Sequence, residues 1–356
     1  MPEKLQASYF RYLAVGLLLL LLGPLGFANE DSDNRPLFEQ QSTLNIRIEG
    51  PLSTLQKIRS NTEYLDGKLS YTDEAGDLHE IDMKFRTRGN YRRRRSTCWF
   101  PPVRLKFKAK QVANTVFAGQ KILKLVSHCN SSKSNYEQLI LKEHLAYRIL
   151  QLHTPYSFRT RLLRITWVDT EQKNSTIEKY GFVLEHKSRL AERLDATVSG
   201  ISHTTYDKLD PVQTATASVF QYLIGNTDFS FVTASPNEAC CHNGILLSGA
   251  GNSLLPIPYD FDFAGIVNAP YAEPNPKFHI KRVTKRLYRG HCSVNPELAK
   301  TISVFAENEQ AVFDLITAQD GLSEKYQKRM LKFIGKFYDE LVDQSAAVQF
   351  FSKVCS

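Results

Sequence analysis

Residues 135–152 read NYEQLILKEHLAYRILQL. Leu141, Leu145 and Ile149 recur every fourth position, with Tyr136, Ile140 and Tyr147 on the same stripe, so the spacing predicts one long α-helix. Ser134 or Asn135 is able to cap its start. The runs on either side have a period of two. Upstream, LNIRIEG (44–50) alternates, and KLSYTDEAGDLHEIDMKFRTRG (68–89) is a hairpin pattern with glycine at the turn. PVRLKFKAK (102–110) sets Val, Leu and Phe against Arg and Lys, a strand with one wet face, and QKILKLVSH (120–128) reads as another. Downstream, FRTRLLRITWVD (158–169) and EKYGFVLEHK (178–187) are strands joined by the polar turn TEQKNST. Residues 44–186 are therefore expected to form an antiparallel sheet with a single long helix inserted.

The second half changes character. TATASVFQYLIG (214–225) has the composition of a buried helix, and residues 296–318 and 322–351 are amphipathic helices. Between them HNGILLSGAGNSLLPIPYD (242–260) is a hairpin around a Gly/Ser/Asn-rich turn. A sheet-rich part (44–186) followed by a mainly helical one (187–356) is the α+β layout of a bilobal nucleotide-using enzyme.

That hairpin carries the candidate chemistry. Asn243 precedes its first strand and Asp260 follows its second, so matched antiparallel strands bring both out at the same end. An amide oxygen and a carboxylate converging in this way suit Mg²⁺ or Mn²⁺ when phosphate oxygens supply the other ligands. Asp262, two residues further on, is a second metal contact or a cap for the next element. Asp228, in GNTDFS just past the 214–225 helix, is placed to orient or deprotonate a hydroxyl nucleophile. Phosphoryl transfer asks for little more than positioning and charge neutralisation. Asn237 is a rival ligand in the intervening FSFVTASPNEACC. No GxSxG elbow or HExxH pattern points to a hydrolase.

Compartment and charge bound these readings. MPEKLQASYFRY, then LAVGLLLLLLGPLGFA, then NEDSDN has the layout of a signal peptide over residues 1–28, with a flexible lead over 29–43. The mature chain is expected to be exported, periplasmic or secreted, with no transmembrane segment and no nucleic-acid partner. Six cysteines, at 98, 129, 240, 241, 292 and 355, make disulfides plausible without specifying the pairing. The vicinal Cys240 and Cys241 are expected to feed two separate bridges, or one bridge and a free thiol, and buried reduced cysteines are the bland alternative. No CxxC or His/Cys spacing suggests structural zinc. The formal net charge is +8, with basic residues concentrated in RTRGNYRRRR (86–95) and KFHIKRVTKRLYRG (277–290). Such runs are solvated faces or attract phosphates, acidic peptides and anionic envelope polymers.

LIGNTD … HNGILL … LLPIPYD resembles the catalytic segment of HipA-type atypical kinases, with Asp, Asn and Asp in that order. FRTRGN (85–90), PPVRLKFK (101–108), KEHLAYRIL (142–150), YGFVLEHKSRLAERL (180–194) and PYDFDFAG (258–265) resemble the exported CotH-type spore-coat kinase family. The resemblance spans roughly residues 83–265 and implies a bilobal atypical protein-kinase-like fold, with an antiparallel-sheet N-lobe carrying one long helix and a mainly helical C-lobe. It implies ATP with Mg²⁺ or Mn²⁺ as cofactor and a hydroxyl-bearing acceptor such as a protein Ser or Thr. Asp228 would be catalytic, and Asn243 and Asp260, with Asp262 in reserve, would hold metal. Arg88, Gly89 and Asn90 would form a phosphate-covering turn. Arg104 and Lys106, or in competition Lys124, would contact phosphate, with Glu137 or Glu143 pairing that cation, and Glu185 would fall where adenine docks. The sequence departs from the pattern in the long Asp–Asn spacing and in RRRR after the RGN turn. The other class of reading is an inactive kinase-like envelope protein that binds an anionic partner.

Overall fold

A computed structural model describes residues 36–234, 238–249, 251 and 253–356. The expected signal peptide, the first part of the lead and Asn237 lie outside the described residues. Seven strands, β1 (Leu44–Gly50), β2 (Leu65–Thr72), β3 (Leu78–Thr87), β4 (Val103–Phe107), β5 (Ile122–Val126), β6 (Thr160–Asp169) and β7 (Ile177–Leu184), close into a barrel in the order β1-β2-β3-β4-β5-β7-β6. Every neighbouring pair is antiparallel except β1 and β6, which run parallel from Leu44↔Leu163 to Gly50↔Asp169.

That parallel pair corrects the expected fold. The class is α+β, but the chain builds a closed mixed barrel, not a bilobal kinase-like arrangement with an open antiparallel N-terminal sheet. An open sheet would leave β1 and β6 as long edges with unpaired N–H and C=O groups. Pairing them satisfies both rows. It also turns Ile46 and Ile48 toward the same interior as Leu163, Ile165 and Trp167, with Leu69, Ile81, Phe85, Leu105, Leu123 and Val183. Alternation shows which residues face inward; it does not show which edges meet.

Two short helices, α1 (Leu52–Ile58) and α2 (Ala109–Val112), connect strands. The long helix α3 spans Ser134–His153, and its cap position is Lys133, which makes no side-chain cap bond, rather than Ser134 or Asn135. Leu141, Leu145 and Ile149 of α3 share a second core with Leu162, Phe182 and Leu184 from the outer face of β6 and β7. Past α4 (Lys187–Arg193), this core continues through α5 (Pro211–Ile224) and the later helices α6 (Leu298–Glu307), α7 (Glu309–Thr317), α8 (Glu324–Leu341) and α9 (Gln344–Val354). α5 starts on Pro211 with the Asp210 carboxylate accepting from the Gln213 N–H at 2.7 Å. A small antiparallel sheet of β8 (Thr197–Val198), β9 (Gly244–Ser248) and β10 (Leu254–Pro258) carries the expected hairpin.

Disulfides join Cys98 to Cys129, Cys240 to Cys241, and Cys292 to Cys355. The vicinal cysteines therefore bond each other instead of serving two bridges. Such bonds form and persist in oxidising compartments. Among the described residues no helix is long and apolar enough to cross a membrane.

Candidate functional site

The β9–β10 register sets Pro258 opposite Gly244, and the Tyr259 N–H donates to the Asn243 carbonyl at 3.0 Å. Asn243 and Asp260 thus leave the hairpin side by side, as matched strands require. Both adopt positive φ, 50° and 65°, a region where short polar side chains are the best tolerated after glycine. Asp228 joins them. Asn243 Nδ2 donates to the Asp228 carbonyl at 2.7 Å and to its Oδ2 at 2.9 Å. His242 Nε2 lies 2.8 Å from Asp228 Oδ1, and this bond raises the pKa of the imidazole.

The loop that carries Asp228 is held from several sides. Gly225 ends α5 at φ 67°, a left-handed cap that costs glycine little. The Asp228 N–H donates to Asn226 Oδ1 at 2.9 Å, and Arg289 donates to the Thr227 and Phe229 carbonyls at 2.8 and 2.6 Å. Arg286 likewise donates to the Tyr222 and Leu223 carbonyls at the end of α5. Two members of the 277–290 basic run are therefore scaffold.

Asp262 points the other way, into a buried ion cluster. Arg92 Nη1 and Nη2 sit 3.1 and 3.3 Å from the Glu143 carboxylate, its Nε is 3.2 Å from Asp262 Oδ2, and Asp260 Oδ1 lies at 3.7 Å. Tyr271 Oη donates to Asp262 at 3.2 Å, and the Asp260 N–H donates to Tyr147 Oη at 2.8 Å. Burial pushes the Asp262 and Glu143 carboxyls up in pKa, while the Arg92 guanidinium opposes the rise. Burial pulls against the Arg92 charge, yet Glu143, Asp262 and Asp260 together hold its pKa raised. Arg92 was missed in the sequence, where RRRR reads as a solvated run. The one signal there was its position directly after the RGN turn.

On the outer face of the barrel, Arg86 of β3, Arg104 of β4 and Lys124 of β5 stand in cross-strand register. Like charges placed directly opposite repel. Among the described residues none of them, nor Arg88 or Lys106, has a carboxylate within ion-pair distance. The Nε atoms of Arg86 and Arg104 are buried without a hydrogen-bond partner. Lys124 Nζ lies over the Tyr259 ring, 4.8 Å from its centroid. Burial first, then Arg88, lower its pKa to about 7, with Asp260 pulling the other way. Lys124 therefore faces the end of the hairpin, whereas Arg86 lies over the Tyr64 ring, 5.0 Å from its centroid. Lys106 is more exposed and sits over Tyr64. Gly89 and Asn90 are exposed at the turn beside it, Gly89 at φ 77°.

The expected pairing of Glu137 or Glu143 with the phosphate-contacting cation is not formed. Glu143 pairs with Arg92, and Glu137 with Lys179 and the Tyr180 N–H, so neither meets Arg104, Lys106 or Lys124. Glu185 is clamped by Arg193 at 3.0 and 3.1 Å and accepts the Arg159 N–H, so its carboxylate holds the β7–α4 connection. Among the described residues no cluster of three His, Cys, Asp or Glu side chains would hold a metal by itself. What does fit is the partial set of the Asn243 oxygen and the Asp260 carboxylate, the latter 37% exposed; Asp262 is committed to Arg92. A cation there would need most of its ligands from phosphate and water, which is usual for Mg²⁺. In comparisons with known proteins, the chain matches no family model and no curated protein.

Proposed function

We propose that the protein is an exported, ATP- and divalent-metal-dependent phosphotransferase acting on a hydroxyl-bearing acceptor, with a catalytic segment of the CotH and HipA type. The observation that carries this reading is the row Arg86–Arg104–Lys124, without carboxylate partners, whose Lys124 end meets the hairpin at Tyr259 next to Asp260, with Asp228 bonded to Asn243. The reading rests on these side chains and not on the fold. Three aligned cations cost stability when empty and attract a polyphosphate chain. Mg²⁺ or Mn²⁺ held by Asn243 and Asp260 would offset phosphate charge on the opposite side.

Asp228 serves the acceptor. The acceptor oxygen attacks the γ-phosphorus, the bond from that phosphorus to the β–γ bridging oxygen breaks, and ADP leaves with that electron pair. The hydroxyl proton passes to the Asp228 carboxylate. Asn243 and His242 each hold one carboxylate oxygen, leaving a lone pair on each to accept a proton.

The test is thermal unfolding with and without ATP and Mn²⁺, followed by transfer of labelled phosphate. A nucleotide-dependent rise in Tm that Asp260→Ala abolishes is expected. Asp228→Ala should keep the rise and lose transfer by about 100-fold or more. Equal labelling by wild type and Asp228→Ala would refute the assignment of the base. A rise with inorganic tripolyphosphate but none with ATP, and no labelling, would make the protein an anion-binding module instead.

A further inference from the structure

A cavity of about 320 Å³ opens beside Asp228, lined by Tyr91, Phe263, Glu273, Pro274, Pro276 and Val283 among others. Each basic run contributes one residue to its lining, Tyr91 from 86–95 and Val283 from 277–290, and the rest comes from the Asp228 loop, Phe263 and residues 273–276. Tyr91 donates from Oη to the Tyr271 carbonyl at 3.2 Å, and its ring packs edge-on against Phe263 at 5.2 Å. Arg94 and Arg95, just beyond Tyr91, are exposed and lie over the Tyr91 and Trp99 rings. Next to the lining residues Pro276 and Val283 the chain carries the exposed Lys277, Lys281, Arg282 and Lys285. None of these six cations has a carboxylate within ion-pair distance among the described residues.

The charge pattern selects an occupant. The lining carries the Asp228 and Glu273 carboxylates and no cation, whereas the exposed cations flank it along the chain on both sides. From this we infer that the acceptor is an acidic polypeptide segment, its neutral Ser or Thr in the cavity and its Asp or Glu residues reaching the flanking cations. A polymer charged on every repeat would set an anion against Asp228 and Glu273. Rings and prolines along the walls suit the flat faces of an extended backbone. The inference rests on the phosphotransfer reading and adds the substrate class to the same site.

The test separates the two. Fluorescence anisotropy with the full-length chain measures binding of serine peptides flanked by Asp/Glu, by Ala or by Lys, which needs no phosphotransfer. The acidic peptide should bind at least about tenfold tighter than the alanine peptide at low salt, weaken as salt rises, and be the one labelled from ATP. Arg282→Glu with Arg94→Glu, and separately Lys281→Glu, should cut acidic-peptide binding without lowering Tm. Equal binding of the acidic and lysine peptides overturns the inference, as does displacement of the acidic peptide by lower concentrations of polyphosphate. A nucleotide-dependent Tm rise in the wild type alongside that result would leave phosphotransfer standing while the acceptor class fell.

Discussion

Arg92 and Lys124 carry opposite kinds of charge problem. Arg92 neutralises two buried carboxylates, Glu143 and Asp262. Arg92→Met strands both, at a cost of about 3–5 kcal/mol, measurable by urea unfolding at pH 7. Part of that loss should return as pH falls, because burial already holds both carboxyls up and the stranded groups take up protons more readily still. Arg92→Lys keeps the charge but not the two-pronged bond to Glu143, and should recover only part of the stability. Lys124 is a cation held where its charge is disfavoured. Its pKa is 10.5 unfolded and about 7 folded, so between those values the unfolded chain binds the extra proton. Its penalty is therefore full below pH 7 and relaxes as pH rises toward 10.5. Lys124→Met should raise Tm at pH 6.5 by about 2 °C or more, and the gain should shrink as pH rises above 7. Phosphate bound at the row reverses the preference, so tripolyphosphate binding at pH 8 should take up a proton. Calorimetry in two buffers of different ionisation enthalpy reads this directly, and zero uptake would place the phosphates elsewhere.

At the scale of elements, the end of α5 decides where Asp228 sits. Gly225 occupies left-handed backbone at φ 67°, and a Cβ there would lie 3.0 Å from the Phe333 ring. Gly225→Ala should cost about 1–2 kcal/mol and shift the Asp228 loop. Phosphate transfer should fall while the ATP-dependent Tm rise persists, because Asp260 and Lys124 lie on other elements. The hairpin is the complementary case. Its two apolar strands are equal in length on either side of a Gly/Ser/Asn-rich turn, so the meeting of Asn243 and Asp260 was legible from matched lengths alone. The partner of Glu143 was not, since α3 crosses the outside of the barrel and Arg92 arrives on a loop from β3.

For the whole molecule, the loop after β3 is the tie between the barrel and the helical part. Tyr91 and Arg92 reach the segment 260–271, Arg59 donates to the Arg93, Cys98 and Trp99 carbonyls, and Cys98–Cys129 closes the far end. Replacing both cysteines by serine should cost about 3–4 kcal/mol from the released loop. It should also weaken ATP-dependent stabilisation, because Arg88 and Arg92 sit on the freed segment; unchanged ATP stabilisation would show that the loop is positioned without the bond.

The sequence alone determined the strands, the long helix and the order Asp228, Asn243, Asp260. Those features are local: side-chain alternation, helical period and strand length are written in consecutive residues. Only the tertiary structure decided that β1 closes on β6, that Cys240 bonds Cys241, that Glu185 belongs to Arg193, and that Arg86, Arg104 and Lys124 form one row. Each of these depends on which distant backbone groups and charges meet. A strand's pattern fixes the direction its side chains face, while the neighbour across its edge is chosen by the path of the whole chain.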